Sequence, residues 1–254
     1  MQKLIKNTDK KLKNFKTNKD YDNFVDYLKF LSKCESVEDL ERHKRIINSE
    51  QEIIGISMKN IRKIAQEISR NCMFDYLSMM EMRLKGNCFY EETLIEGLVI
   101  AKIKDLDLQI KKLRCWVEKI DNWATCDSVV TSLKILKKSK YKQNYFDVFK
   151  TMVLSEREFI ARFGIVVLLV LYLDIDNIDE IFNIIKSINN NAYYVKMAIA
   201  WLISSAFLIN ETKTYDLLNE RVLDRFIQNK AISKCRESFR ISKENKEKLK
   251  LLKM

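Results

Sequence analysis

Residues 57–68 read Ser57-Met58-Lys59-Asn60-Ile61-Arg62-Lys63-Ile64-Ala65-Gln66-Glu67-Ile68. Met58, Ile61, Ile64, Ala65 and Ile68 recur at steps of three and four, which places them on one face of a helix. Ser57 stands just before the first of them, where a short hydroxyl side chain favours a helix start. The same spacing recurs on both sides. Tyr21, Phe24, Val25, Leu28 and Leu31 form an earlier stripe, and others follow at 75–84, 90–102, 106–119, 124–137, 144–153, 156–173, 176–187 and 191–208. Shorter helices are expected over 212–254. Ser36 with Asp39, and Ser155 with Glu158, have the spacing of a capping box. Such segments imply helical hairpins repeating at roughly 35–45 residues, the range of HEAT-like solenoids. The expected fold is therefore all-α: one HEAT-like helical-repeat solenoid over 1–254 with a concave face, residues 1–19 forming a basic extension or first helix. A compact irregular helical bundle is the alternative.

Composition agrees with helices. The 254 residues include four glycines and no proline. Strand turns and hairpins depend on those two residues, whereas helices joined by short polar turns need few. The chain is 47% hydrophobic and 32% charged, as expected of a soluble globular protein. No uncharged apolar run reaches the roughly 18 residues of a membrane span, and the Lys- and Asn-rich start lacks the apolar core of a secretory signal. The expected location is cytoplasmic, or the nucleoid in a bacterium. Six scattered cysteines form no Cys-x-x-Cys pair, and His43 is the only histidine. Reduced, buried thiols are expected, and neither a metal nor a cofactor.

The net charge of +11 suggests a polyanionic partner. The excess is terminal, however. Residues 1–19 carry seven Lys against one Asp, and residues 230–254 carry nine Lys or Arg against three Glu. A nucleic-acid face in the long middle must come from segregating charges between faces.

Three segments carry chemistry beyond a plain core. In Ile120-Asp121-Asn122-Trp123-Ala124-Thr125-Cys126-Asp127-Ser128, Asp121 or Asn122 can cap a helix, and Trp123 and Asp127 share one face. An indole beside a carboxylate suits a cationic or sugar-like group, because the ring face attracts positive charge and the carboxylate stabilises a developing cation. The same pair also fits a packed indole beside a capping acid. In Glu158-Phe159-Ile160-Ala161-Arg162-Phe163-Gly164, Arg162 lies in a helix apolar on nearly every side. A buried guanidinium must be paired or must face a ligand. A phosphate contact, a partnership with Asp127 and a structural ion pair all remain open. In Asn191-Ala192-Tyr193-Tyr194-Val195-Lys196-Met197-Ala198-Ile199-Ala200-Trp201, Tyr194 and Trp201 align seven apart and Lys196 interrupts the apolar pattern. Aromatics interleaved with a cation suit a nucleic-acid surface; a core stripe with a snorkelling lysine is the alternative. Phosphate-binding glycine loops, His-based triads and zinc motifs are missing.

In this order and at these intervals, the three segments resemble the AlkD-type DNA alkylation repair family of HEAT-like-repeat glycosylases. The similarity covers about residues 21–250. It extends to Ile54-Gly55-Ile56-Ser57-Met58-Lys59-Asn60-Ile61-Arg62-Lys63-Ile64-Ala65, Tyr90-Glu91-Glu92-Thr93, Asn229-Lys230-Ala231 and Ser238-Phe239-Arg240. The resemblance implies that Asp127 is the catalytic carboxylate and that Trp123 packs on the lesion's deoxyribose. It implies that Arg162 contacts DNA near the lesion and that Trp201 forms the other wall of the cleft. Tyr194, Lys196 and Lys230 are the further expected DNA contacts. The implied partner is double-stranded DNA carrying alkylated bases, bound by a monomer without a membrane. The family's third aromatic has no counterpart in Asn48-Ser49-Glu50-Gln51-Glu52. Two other readings stand beside hydrolysis of the N-glycosidic bond of N3-alkyladenine or N7-alkylguanine. One is a non-catalytic HEAT-repeat protein that recognises damaged, bent or branched DNA. The other is a protein-interaction solenoid.

Overall fold

The computed structural model describes residues 14–34, 36–83 and 88–254, without the side chains of Val37, Asp39 and His43. Residues 1–13 of the expected basic extension, and the Asp39 half of the expected Ser36 cap, lie outside that description. Among the described residues the regular elements are helical and no strand forms. No helix among them is long and apolar enough to cross a membrane.

The chain divides into two compact units, Met1–Ile135 and Leu136–Met254. The first holds α1 (Asn18–Ser32), α2 (Val37–Ile47), α3 (Met58–Asn71), α4 (Met73–Glu81), α5 (Tyr90–Ile100), α6 (Leu106–Trp116) and α7 (Trp123–Val130). The short helix α8 (Lys134–Lys138) spans the division. The second unit holds α9 (Phe146–Val153), α10 (Glu158–Val167), α11 (Ile178–Lys186), α12 (Tyr193–Ala206), α13 (Glu211–Asn219), α14 (Arg225–Glu237) and α15 (Lys243–Lys250).

Alternate helices form a row in each unit. In the first, α5 packs between α3 and α7, with α4 and α6 also against it. In the second, α12 packs between α10 and α14, with α9 against α10 and α15 against α14. Helices of the two rows begin at Met58, Tyr90, Trp123, Glu158, Tyr193 and Arg225, every 32–35 residues. This alternation is what helical repeats produce, at a shorter period than the apolar stripes suggested. The reason lies in the breaks. The stripe expected over 124–137 stops at Val130 and resumes as α8, and that over 106–119 tightens after Trp116 into a 3-10 turn, Val117–Lys119. The stripe over 156–173 passes at Leu168–Tyr172 into a single π-helical turn.

The centre of the first unit is α5, all eleven of whose residues are buried. It carries Glu91, Glu92 and Glu96, and each carboxylate is met by donors. Glu91 accepts from three successive amides, Ile54 at 3.0 Å, Gly55 at 2.7 Å and Ile56 at 3.3 Å. Gly55 has φ +90, and a Cβ there would collide with Leu40, so the turn requires glycine. Glu92 accepts from the Phe89 amide at 2.8 Å. Glu96 pairs with Lys119 at 2.9 Å, whose ammonium also donates to the Met80 carbonyl. Burial raises the Glu91 carboxyl above its ordinary 4.5, against the opposing pull of those amides. Gly97 lets α5 approach closely: a Cβ there would stand 2.5 Å from the Trp116 ring and 2.6 Å from Val129 of α7.

Two expectations are corrected. Cys72, Cys88, Cys126 and Cys235 are buried, but Cys34 and Cys115 lie at the surface. Ser155 and Glu158 do not form a capping box. Helix α10 begins at Glu158 itself, so this side chain is in the wrong place to reach back. Ser155 Oγ instead accepts from the Arg157 amide, and Glu158 accepts from the Tyr194 amide of α12 at 2.7 Å.

Two outcomes follow for stability. Glu91→Gln leaves one acceptor oxygen where two serve three amides, and should cost about 1–3 kcal/mol in urea unfolding. Because the folded-state value of Glu91 is raised, the stability linked to its proton is full below about pH 4.5 and is lost as pH rises through the folded value. The wild type's stability relative to this variant should therefore fall as pH rises from about 4.5, and a gap that widens contradicts the assignment. Gly97→Ala should cost about 1–3 kcal/mol by forcing α5 away from Trp116 and Val129.

Candidate nucleic-acid interface

In the first unit the site is built at the start of α7. Asn122, with extended backbone, caps the helix by accepting from the Thr125 amide at 2.9 Å. That leaves the buried Asp121 for another task. It accepts from Ser49 Oγ at 2.9 Å, from the Glu50 amide at 2.9 Å, from the Gln51 amide at 3.3 Å and from Asn122 Nδ2 at 2.9 Å. The segment that lacks the expected third aromatic is thus fastened to the base of α7. It is entered through Asn48, which takes a positive φ of 50.

Helix α7 is divided lengthwise. Thr125, Cys126, Val129 and Val130 are buried, whereas Trp123, Ala124, Asp127 and Ser128 remain half-buried. The Trp123 indole donates to the Ile46 carbonyl at 3.2 Å, which fixes its edge against the end of α2. Ring and carboxylate therefore share the accessible face, as their four-residue spacing predicts. Beside them α3 exposes Lys59, Arg62 and Lys63. Arg62 Nη1 reaches Ser132 Oγ, just past the end of α7, at 3.4 Å. Sequence reading quoted Arg62 without assigning it a role. Only the packing of α3 and α7 on either side of α5 brings it to this face.

The other expected residues belong to the second unit. Arg162 is 6% exposed. Its Nη1 donates to the Tyr194 carbonyl at 2.9 Å, and its guanidinium lies 5.8 Å from the Tyr194 ring. Together with the bond from the Tyr194 amide to Glu158, this holds the start of α12 against α10 from both sides. Lys196 pairs with Asp224, the cap of α14, at 3.2 Å. Burial works against that carboxylate, but the Ile227 amide and the Lys196 ammonium hold it below 3.8. Trp201 is half-buried on α12, two turns beyond Tyr194, and Lys230 is half-buried on α14. The second unit thus pairs Arg162 with Tyr194 and Lys196 with Asp224, with Trp201 further along α12.

Removing the Asp121 anchor tests the first-unit arrangement. Asp121→Ala should speed tryptic cleavage after Arg45, because the amides of Glu50 and Gln51 lose their acceptor. Unchanged cleavage would show that the segment is held by something else.

A carboxylate beside an indole, next to exposed cations, and a second unit with an aromatic and basic helix edge are features that a DNA-processing protein requires. The comparisons agree. A family model described as DNA alkylation repair enzyme matches residues 27–235. No match was found among curated proteins or among solved structures. With most of its length matched, and with these residues so placed, the chain belongs to the DNA alkylation repair enzyme family.

Proposed function

We propose that the protein is a DNA glycosylase that hydrolyses the N-glycosidic bond of cationic alkylated purines, N3-alkyladenine and N7-alkylguanine, in duplex DNA. One observation carries the reading: Trp123 and Asp127 are both half-buried on the accessible face of α7, with Arg62 of α3 reaching the end of that helix. A carboxylate so placed is open to a substrate yet partly shielded from water, where its field is stronger than in bulk solvent.

Alkylation at these ring nitrogens makes the base positive and weakens its bond to the sugar. As that bond breaks, positive charge passes to the deoxyribose as an oxocarbenium ion. A fixed carboxylate favours that charge more in the transition state than in the ground state, which is the condition for catalysis. Asp127 supplies it and orients the attacking water. Trp123 offers its ring to the sugar, while Lys59 and Arg62 meet phosphates. The base leaves as a neutral molecule and needs little acid assistance. In the second unit, Trp201 and Lys230 supply further DNA contacts. Arg162, one N–H of which holds the Tyr194 carbonyl, contacts the DNA near the lesion.

The test is release of 7-methylguanine or 3-methyladenine from methylated duplex DNA. Asp127→Asn should lower release by about 100-fold or more while affinity for the duplex is retained. Absence of release by wild-type protein at high enzyme concentration would overturn the reading. Tight, salt-sensitive binding without release would instead favour a non-catalytic protein that recognises damaged or distorted DNA.

A further inference from the structure

The second unit carries a ladder of rings that the glycosylase reading does not use. Phe159 of α10 lies 5.3 Å from Tyr194 of α12, Tyr194 lies 5.1 Å from Tyr193, and Tyr193 lies 5.9 Å from Phe226 of α14. Each ring stands in the first turn of its helix, so three neighbouring helices present aromatics along one edge. Two of the four rings are open to solvent, Tyr193 at 57% and Phe226 at 39%. A run of contacting rings left half in water costs hydrophobic free energy unless a ligand covers it.

The surrounding charges indicate what covers it. Each helix follows its aromatic with a cation one turn later: Phe159 with Arg162, Tyr193 with Lys196, and Phe226 with Lys230. Two acids at this edge are held by backbone amides. Glu158 accepts from the Tyr194 amide, and Asp224 accepts from the Phe226 and Ile227 amides and pairs with Lys196. Lys230 has no hydrogen bond or ion pair among the described residues and is half-buried on α14. Rings at stacking distance, with the unpaired Lys230 beside them, match the requirements of unpaired nucleic acid. There, bases stack on aromatic faces and cations track the backbone.

We infer that the Phe159–Tyr194–Tyr193–Phe226 edge is a stacking platform for unpaired bases, with Lys230 toward the phosphates. It would hold nucleotides that leave the duplex when DNA is distorted. The inference rests on the chain engaging DNA, but not on hydrolysis.

The experiment compares the wild-type protein's affinity for two labelled single strands of about sixteen residues. One is oligothymidylate. The other is an oligomer of abasic sugars with the same backbone charge. Stacking predicts tighter binding of oligothymidylate by about tenfold or more. Tyr193→Ala and Phe226→Ala should each weaken oligothymidylate binding about tenfold and leave the abasic strand's affinity unchanged. Both positions are exposed enough that alanine opens no core cavity, and thermal unfolding verifies that the variants are folded. Equal affinity for the two strands, or alanine variants that bind oligothymidylate like wild type, would overturn the platform. Neither strand carries a lesion, so a protein that releases no base can still pass this test, and an active glycosylase can fail it.

Discussion

The first unit depends on burying three carboxylates in its central helix without leaving any of them unmet. Glu91, Glu92 and Glu96 occupy a helix with no exposed residue, and an unpaired charge in such a place is far too costly for a marginally stable fold. The cost is offset by recruiting donors from outside the helix. Glu91 gathers the amides of 54–56, and Glu96 gathers Lys119 from just beyond α6. These bonds tie segments distant in sequence to one helix. They also set where α3 begins and where the chain turns towards α7. The charges therefore contribute more to uniqueness of arrangement than to net stability, in keeping with the general weakness of buried pairs as stabilisers.

The candidate carboxylate inherits this order. Glycine at position 97 brings α5 against Val129, and so sets the depth of α7. Two adjacent polar residues then divide the work at its start. Asn122 satisfies the helix end, and Asp121 binds the 49–51 segment. Trp123 and Asp127 lie on the accessible face of the same helix, with the indole held by the Ile46 carbonyl. Asp121 is committed to its anchor, and Asp127 is the carboxylate on the accessible face.

In the second unit charge is used in a different way. Glu158 accepts from an amide of α12, and Asp224 from amides of its own helix. Arg162 gives one N–H of its guanidinium to the Tyr194 carbonyl. Neighbouring helices are thereby locked edge to edge, and their aromatic first turns align. One contact of the Arg162 guanidinium is a positioning one: it holds the Tyr194 backbone carbonyl, 5.8 Å from the Tyr194 ring.

By itself the sequence determined the helical class, the places of most helices and the pairing of Trp123 with Asp127 on one face, because all of these follow from local periodicity and from spacings within one or two turns. Glu91, Glu92 and Glu96 show the limit of such reasoning. The spacing shows that they share a helix, but not that the helix is central, and their partners lie from three to nearly forty residues away. The same limit hid the role of Arg62 and the ladder from Phe159 to Phe226, whose members look like unrelated aromatics until their helices are side by side. Only the tertiary structure could decide these points, because burial and cross-helix contact are properties of packing between distant segments. A local pattern records which face of a helix is apolar, and says nothing of what lies against the other.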